Sequence, residues 1–150
     1  MAQSLARNLV HLIFSTKNRV PFLHAGVRPE LHAYMAGVFS NWESPAIIIG
    51  SVDDHVHTLF NLSKNHSLSK VVEEVKRGSS KWIKTRGNEF ADFFWQNGYG
   101  AFSVSPSLVD TVCHYIANQE EHHRKTSFQD EFREFCRRHG VEFDERYVWG

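Results

Sequence analysis

The apolar positions of the chain change their period several times, and each change marks an element. Leu9 to Lys17 (LVHLIFSTK) is dense in β-branched and aromatic side chains and runs into polar Asn18 and Arg19, which predicts a strand and a loop. After Pro29 the apolar residues Leu31, Tyr34, Met35, Val38 and Phe39 recur three and four apart, so Glu30 to Asn41 is expected to be a helix with proline at its first position and one buried face. Pro45 prevents any continuation. Ala46 to Val52 is a continuous apolar run, Asp53 and Asp54 are turn residues, and His55 to Leu62 alternates, a pattern that predicts a hairpin. Ser67 can cap a long helix with Leu68, Val71, Val72, Val75, Trp82 and Ile83 at helical spacing and Gly87 as its stop. Gly98, Gly100 and Ala101 loosen the chain before a short strand, Phe102 to Val104. Ser107 is the expected cap of a helix from Leu108 through about His123, with Val109, Val112, Cys113, Ile116 and Ala117 as its apolar stripe. A last amphipathic helix is expected from Phe128 to His139, closed by Gly140. The order β, α, β, β, α, β, α, α contains the split βαβ pattern of ferredoxin-like α+β domains, a fold that names no function by itself.

Composition narrows the picture without deciding it. A length of 150 residues with 41% hydrophobic and 23% charged positions predicts one ordinary globular domain over 1–150, with no repeat of solenoid period. The longest apolar runs are of strand length, and no basic segment followed by a long apolar run opens the chain, so neither a membrane span nor a signal peptide is expected. Cys113 and Cys136 form no CxxC unit, which points to a reducing, cytoplasmic setting without a disulfide framework. The formal net charge of zero argues against a protein that coats nucleic acid by bulk charge. The distribution is uneven, however. Between Lys64 and Arg86 seven basic residues face only Glu73 and Glu74, so one basic face on a neutral protein is expected.

Two small constellations carry candidate chemistry. On a strand from His55 to Leu62, residues two apart share a face, so His55 and His57 pair while Val56 points away. Two imidazoles so placed can share a metal ion. In a chain with ten histidines an H-x-H pair also arises by chance about once, so two polar residues on a half-exposed strand face are the alternative. On the helix that follows Ser107, Tyr115 and Gln119 are four apart and stack on one face, although a tyrosine there also fits a core-edge position. Together the two pairs supply the parts for metal-assisted phosphoryl transfer. A phosphodiester is anionic and a poor electrophile, and a cation on one oxygen offsets charge in the transition state. A phenol with an ordinary pKa of about 10 is a weak nucleophile at neutral pH and needs a cation nearby, while its phosphate ester conserves the bond energy for rejoining without ATP.

Residues 10–19 (VHLIFSTKNR), 54–59 (DHVHTL), 79–82 (SSKW), 95–100 (WQNGYG) with Phe102 and Ser103, and 115–119 (YIANQ) stand in an order that resembles the HUH transposases with a single catalytic tyrosine, encoded by small bacterial insertion sequences, and their REP-associated relatives. The resemblance implies a ferredoxin-like antiparallel sheet with helices on one face and C-terminal helices carrying the tyrosine. It implies Tyr115 as nucleophile, His55, His57 and Gln119 as ligands of a divalent cation, Mg or Mn, and a homodimer whose composite active sites pair one subunit's histidines with the other's tyrosine helix. Its implied activity is cleavage and rejoining of single-stranded DNA with hairpin ends, through a covalent bond to the 5′ phosphate and release of a 3′ hydroxyl.

Other residues carry two readings each. Lys17, Arg19, Lys76, Lys81 and Lys84 are candidates for phosphate contact, or simply a solvated face. Trp95, Tyr99 and Phe102 can stack on bases but fit the core better. Asp53 and Asp54 can orient a metal-bound imidazole or form a turn. His114, His122 and His123 crowd the tyrosine helix, where a separate zinc site with Cys113 or Cys136 is conceivable but has no standard spacing. Two other functions compete: a non-catalytic RNA-binding sheet, which lacks the aromatic RNA-binding motif here, and a metal-dependent hydrolase that uses water and leaves Tyr115 dispensable.

Overall fold

The computed structural model describes residues 2–150. Strand β1 (Asn8–Ser15) lies inside a four-stranded sheet with β2 (Ala46–Ser51), β3 (His55–Leu62) and β4 (Gly100–Ser103) in the order β2-β3-β1-β4. Every pairing is antiparallel, and β1 alternates cleanly across the sheet. Leu12 and Phe14 point to one face, where helices α1 (Arg28–Asn41) and α2 (Leu68–Lys84) close a core with Leu31, Met35, Phe39, Val56, Phe60, Val72 and Val75. Leu9 and Ile13 point to the other face, under α3 (Val109–Ala117), α4 (Gln119–His123) and α5 (Phe128–Arg138). This is the expected α+β arrangement, with two helices on one face and the tyrosine helix among the C-terminal ones. Because both faces are covered, the sheet offers no open platform for stacked bases of the kind an RNA-binding sheet needs.

Local signals account for most boundaries. The Ser67 hydroxyl accepts from Lys70 N at 3.1 Å and starts α2 as expected. Pro29 sits in the first turn of α1, and the β2–β3 hairpin turns at Asp53 and Asp54. Two expectations change. Ser105, rather than Ser107, caps the chain after β4: it opens a 3-10 turn at Pro106–Leu108, and α3 follows directly. The helix expected through His123 breaks at Asn118, whose φ/ψ of −104°/27° leaves the helical region. The Asn118 side chain holds the break by donating to His114 O at 2.8 Å.

The C-terminal helices reach the sheet because it lacks side chains at two points. A Cβ on Gly50 of β2 would lie 2.6 Å from Ile116 O, and one on Gly100 of β4 would lie 2.7 Å from the Phe132 ring. Ile116 packs there with Leu9 and Leu59, and Phe128, Phe132 and Cys136 pack with Ile13 and Phe102. The Arg28 guanidinium ties the far end of this layer by pairing with Asp53 of the hairpin turn and with Glu120 of α4. No helix among the described residues is long and apolar enough to cross a membrane.

Candidate active site

The pleat of β3 carries His55 and His57 to the face under the C-terminal helices, 1% and 0% exposed. They lie opposite Ser15 and Ile13 of β1, and a third imidazole joins from that strand: His11 Nε2 is 2.8 Å from His57 Nδ1. At the hairpin end, Asp54 Oδ1 takes a hydrogen bond from His55 Nδ1 at 2.7 Å, whereas Asp53 is engaged by Arg28. Of the two turn acids, Asp54 therefore orients an imidazole, and Asp53 braces the turn.

Helix α3 places Tyr115 over the same cluster, with its ring 5.8 Å from that of His57 and 6.3 Å from that of His11. Its hydroxyl donates to Glu131 Oε2 and lies 3.1 Å from His122 Nε2. The chain thus brings its own tyrosine to its own histidine pair. The resemblance implies an exchange of tyrosine helices between subunits; here the return of α3 over Gly50 and the packing of Ile116 make that exchange unnecessary for the juxtaposition.

Glu131 of α5 is the centre of the site and was absent from the sequence reading. It is 3% exposed, and Oε1 lies 2.8 Å from His57 Nε2 and 3.4 Å from His55 Nε2, while Oε2 lies 3.1 Å from both His122 Nε2 and His123 Nε2. A signal for it exists in the sequence. Glu131 stands three residues after Phe128 and four before Phe135, an acid on the apolar stripe of its helix. His123, noted only for a separate zinc site, joins this cluster instead, with Nε2 2.9 Å from His55 Nε2. Among the described residues the metal-capable group is His55, His57, His123 and Glu131, whose donor atoms lie within 4.8 Å of one another, and neither cysteine belongs to it.

The cluster is strongly biased electrically. Burial lowers the pKa of His57 to about 4 against the opposing pull of Glu131, and burial with the neighbouring His57 lowers that of His11 to about 3, so both rings are neutral at pH 7. At His55 burial also pulls downward, but hydrogen bonds to Asp54 and Glu131 outweigh it and its pKa is raised. Burial pushes Glu131 upward, yet hydrogen bonds from His123, His55 and His57 hold it far below the usual carboxylate range. Burial and the negative charge of Glu131 push the Tyr115 phenol well above the ordinary tyrosine value. The phenol is therefore protonated at neutral pH and donates to an ionised carboxylate.

Gln119 is 2% exposed, and its Nε2 donates to Tyr115 O at 3.3 Å while its Oε1 is buried with no hydrogen-bond partner. A buried amide oxygen without a donor is costly, and a cation is one way to satisfy it. The buried His55 and His57 imidazoles on one strand face and the Glu131 carboxylate offer donors that fit a divalent cation, and the orphaned Gln119 oxygen is a further candidate ligand.

The basic candidates separate. Lys17, Lys81 and Lys84 are exposed, and Arg19 borders a cavity of about 430 Å³ shared with Asp54 and His123. Lys84 Nζ lies 4.6 Å from the Phe94 ring, and Phe94 O accepts from Lys17 N at 2.8 Å, so the loop after α2 links these two lysines through an exposed aromatic. Lys76 differs from the others. Its ammonium donates to the carbonyls of Gln96, Asn97 and Gly98 at 2.9, 3.4 and 2.6 Å and is partly buried, so it braces the 96–98 loop and does not face a ligand. Trp95 and Phe102 belong to the core, and Tyr99 packs against it, as their core reading expects. A second cavity, of about 550 Å³, opens beside Tyr115, His122 and Glu131 and is rimmed by Arg137 and Arg138.

Solved structures share the architecture. A candidate transposase from Deinococcus radiodurans R1 superposes with a TM-score of 0.62 at 20% identity, over 79% of this chain and 98% of that one. A REP-associated tyrosine transposase, solved bound to a REP hairpin, superposes with a TM-score of 0.61 at 13% identity, over 82% of this chain and 73% of that one. Among curated protein sequences none matches the chain. The family model described as "Transposase IS200 like" matches residues 4–119, a span that runs from before β1 through Tyr115 to Gln119, and the chain belongs to that family of IS200-like transposases.

Proposed function

We propose that the protein cleaves and rejoins single-stranded DNA with Tyr115 as nucleophile, assisted by a divalent cation, Mg or Mn, held by His55, His57 and Gln119. The observation that carries this reading is the position of the Tyr115 phenol, within one buried cluster with both imidazoles and hydrogen-bonded to an ionised carboxylate. When bound, the cation offsets the negative charge that a phosphate oxygen gathers in the transition state. The phenol oxygen attacks phosphorus, its proton passes to His122 Nε2, 3.1 Å away, and the bond from phosphorus to the 3′ oxygen breaks. The chain is left joined to the 5′ phosphate, and a free 3′ hydroxyl is released. Attack by another 3′ hydroxyl reverses the balance and rejoins strands.

The cavity beside Tyr115 is wide enough to receive a strand, with Arg137 and Arg138 at its rim each paired with Glu134, and Lys17, Arg19, Lys81 and Lys84 are the further candidates for phosphate contact. One structural neighbour was solved on a REP hairpin, and a hairpin at the end of a mobile element is the substrate form in this reading. A cytoplasmic two-fold dimer is the proposed acting form. The test is a denaturing gel with labelled single-stranded DNA from the flanks of the coding sequence, followed by mass spectrometry of the linked peptide. The expected adduct lies on Tyr115, requires a divalent cation, and falls to background in Tyr115→Phe, whose ring still packs while DNA binding persists. Cleavage at the wild-type rate without an adduct would instead identify a nuclease that uses water.

A further inference from the structure

We propose that Phe94 is a stacking platform for one unpaired base of the DNA strand, with Lys17 and Lys84 beside it for the neighbouring phosphates. The inference rests on the reading of single-stranded DNA as the substrate and adds a residue that binds the strand without touching the reacting atoms.

The loop that carries Phe94 is held on both sides. Phe93 and Trp95 enter the core, where their rings pack edge to face at 4.8 Å. Trp95 bridges to Thr16 at the end of β1, Gln96 N donates to Ser15 O at 2.9 Å, and Phe94 O accepts from Lys17 N at 2.8 Å. Between these anchors the Phe94 ring is left 56% exposed, more than any other phenylalanine among the described residues. A lone apolar side chain on a surface is ordinary. This one is a flat ring on a backbone fixed in advance, between two neighbours that already fill the core, so a base that stacks on it pays little to order it.

The charges around the ring are a second, independent observation. Lys84 Nζ lies over the ring, 4.6 Å from its centre. A ring has two faces, and an ammonium on one leaves the other for a base. Lys70 and Arg77 of α2 and Arg86 just after it are held by glutamates, whereas Lys17, Arg19, Lys81 and Lys84 are in no ion pair among the described residues. An aromatic among uncompensated cations suits a ligand that is at once anionic and flat-faced, and an unpaired nucleotide is both. A base pair inside a duplex offers no free face to such a ring.

The platform also stands close to the histidine end of the site. Lys17 follows Thr16, whose N donates to Asp54 O at 2.8 Å, and Asp54 in turn holds His55. Phe94 and Asp54 therefore flank the end of β1 from opposite sides, roughly two strand spacings or ~10 Å apart. Arg19 borders the cavity of about 430 Å³ that it shares with Asp54 and His123, so a strand with one base on Phe94 reaches the site past Lys17 and Arg19.

The test is fluorescence anisotropy with three labelled probes of one length: oligo(dT), an abasic oligomer with the same phosphates, and an oligo(dA)·oligo(dT) duplex. Phe94→Ala should weaken binding of oligo(dT) by about fivefold to a hundredfold, the range for loss of one stacked base, and leave the abasic oligomer and the duplex at wild-type affinity. The salt slope for oligo(dT) should not move, since no charge is removed, whereas Lys84→Ala should lower it for both single strands. Phe94→Trp should match or exceed wild-type affinity and Phe94→Leu should not, which separates a flat π face from apolar bulk. Circular dichroism checks that each variant folds. Equal losses on oligo(dT) and the abasic oligomer, or no loss on either, would overturn the platform. Losses on all three probes, with light scattering that shows a dimer becoming a monomer, would assign Phe94 to a contact between copies of this chain instead. If these expectations fail while wild-type protein still forms the Tyr115 adduct, the platform alone falls. If wild-type protein binds neither single strand and forms no adduct, the reading of the substrate falls with it.

Discussion

Lys76 illustrates how a charge that looks like a ligand contact can be a structural brace. Its ammonium caps three loop carbonyls and lies 5.0 Å from the Phe14 ring and 5.6 Å from the Tyr99 ring, and burial lowers its pKa to about 8, which still leaves it charged at neutral pH. Lys81 and Lys84 stand on the same helix, but at exposed positions. The three therefore have different expected phenotypes. Lys76→Met leaves the carbonyls of Gln96 and Gly98 without their donor and should cost about 1–3 kcal/mol of stability in denaturant unfolding. Lys81→Ala and Lys84→Ala should leave stability within about 0.5 kcal/mol of wild type. Each should lower affinity for single-stranded DNA and reduce the slope of log affinity against log salt by about 0.7 in fluorescence anisotropy. Unchanged salt slopes in both would remove this face from the DNA path. Sequence could list all three lysines as candidates but could not separate them, because the difference lies in which loop folds back over the helix.

At the scale of elements, Gly50 controls where the tyrosine helix sits. Ile116 O would lie 2.6 Å from a Cβ at position 50, a backbone contact that no side-chain rotation can relieve. Gly50→Ala should force α3 off β2, at a cost of about 1–3 kcal/mol in denaturant unfolding. Because a shift of about 1 Å at a reacting group can cost on the order of a hundredfold in rate, the yield of covalent adduct should fall much further than the stability loss alone explains. A variant with normal adduct yield would show that the phenol is not positioned through this contact. The strands, α1, α2 and the hairpin were legible from apolar period, proline and capping serine, which act within a few residues. The break at Asn118 was not, since Val109 to Ala117 continues a helical pattern and the turn is closed by the backbone and side-chain nitrogens of Asn118 itself, both on His114 O. Glu131 was hidden for another reason: a lone acid on an amphipathic helix is ordinary until the partner face is known to hold four imidazoles.

At the scale of the whole molecule, the site joins β1, β3, α3, α4 and α5, and even the contact between His57 and Glu131 crosses 74 residues of chain. The His55/His57 pair and the Tyr115/Gln119 pair were each readable within one element, and the antiparallel order β2-β3-β1-β4 follows from the split βαβ pattern. Which subunit supplies the tyrosine is not a property of spacing, and it requires the packing of α3 on its own sheet. Within the single chain the phenol lies 5.8 Å from the His57 ring, so sites built within each chain are the expected arrangement for the proposed dimer. Mixing Tyr115→Phe with His57→Ala protein, with exchange of subunits by partial unfolding and refolding, tests it. If the sites are built within chains, each mixed dimer holds one site without a nucleophile and one without its imidazole, and adduct formation should stay at background. If tyrosine helices cross between subunits, one site in each mixed dimer regains both groups, and a statistical mixture should recover on the order of a quarter of wild-type activity, as half the dimers carry one intact site of two. Light scattering on the same samples establishes that dimers are present, so background activity in a dimeric mixture supports the arrangement within one chain, and recovery toward a quarter overturns it.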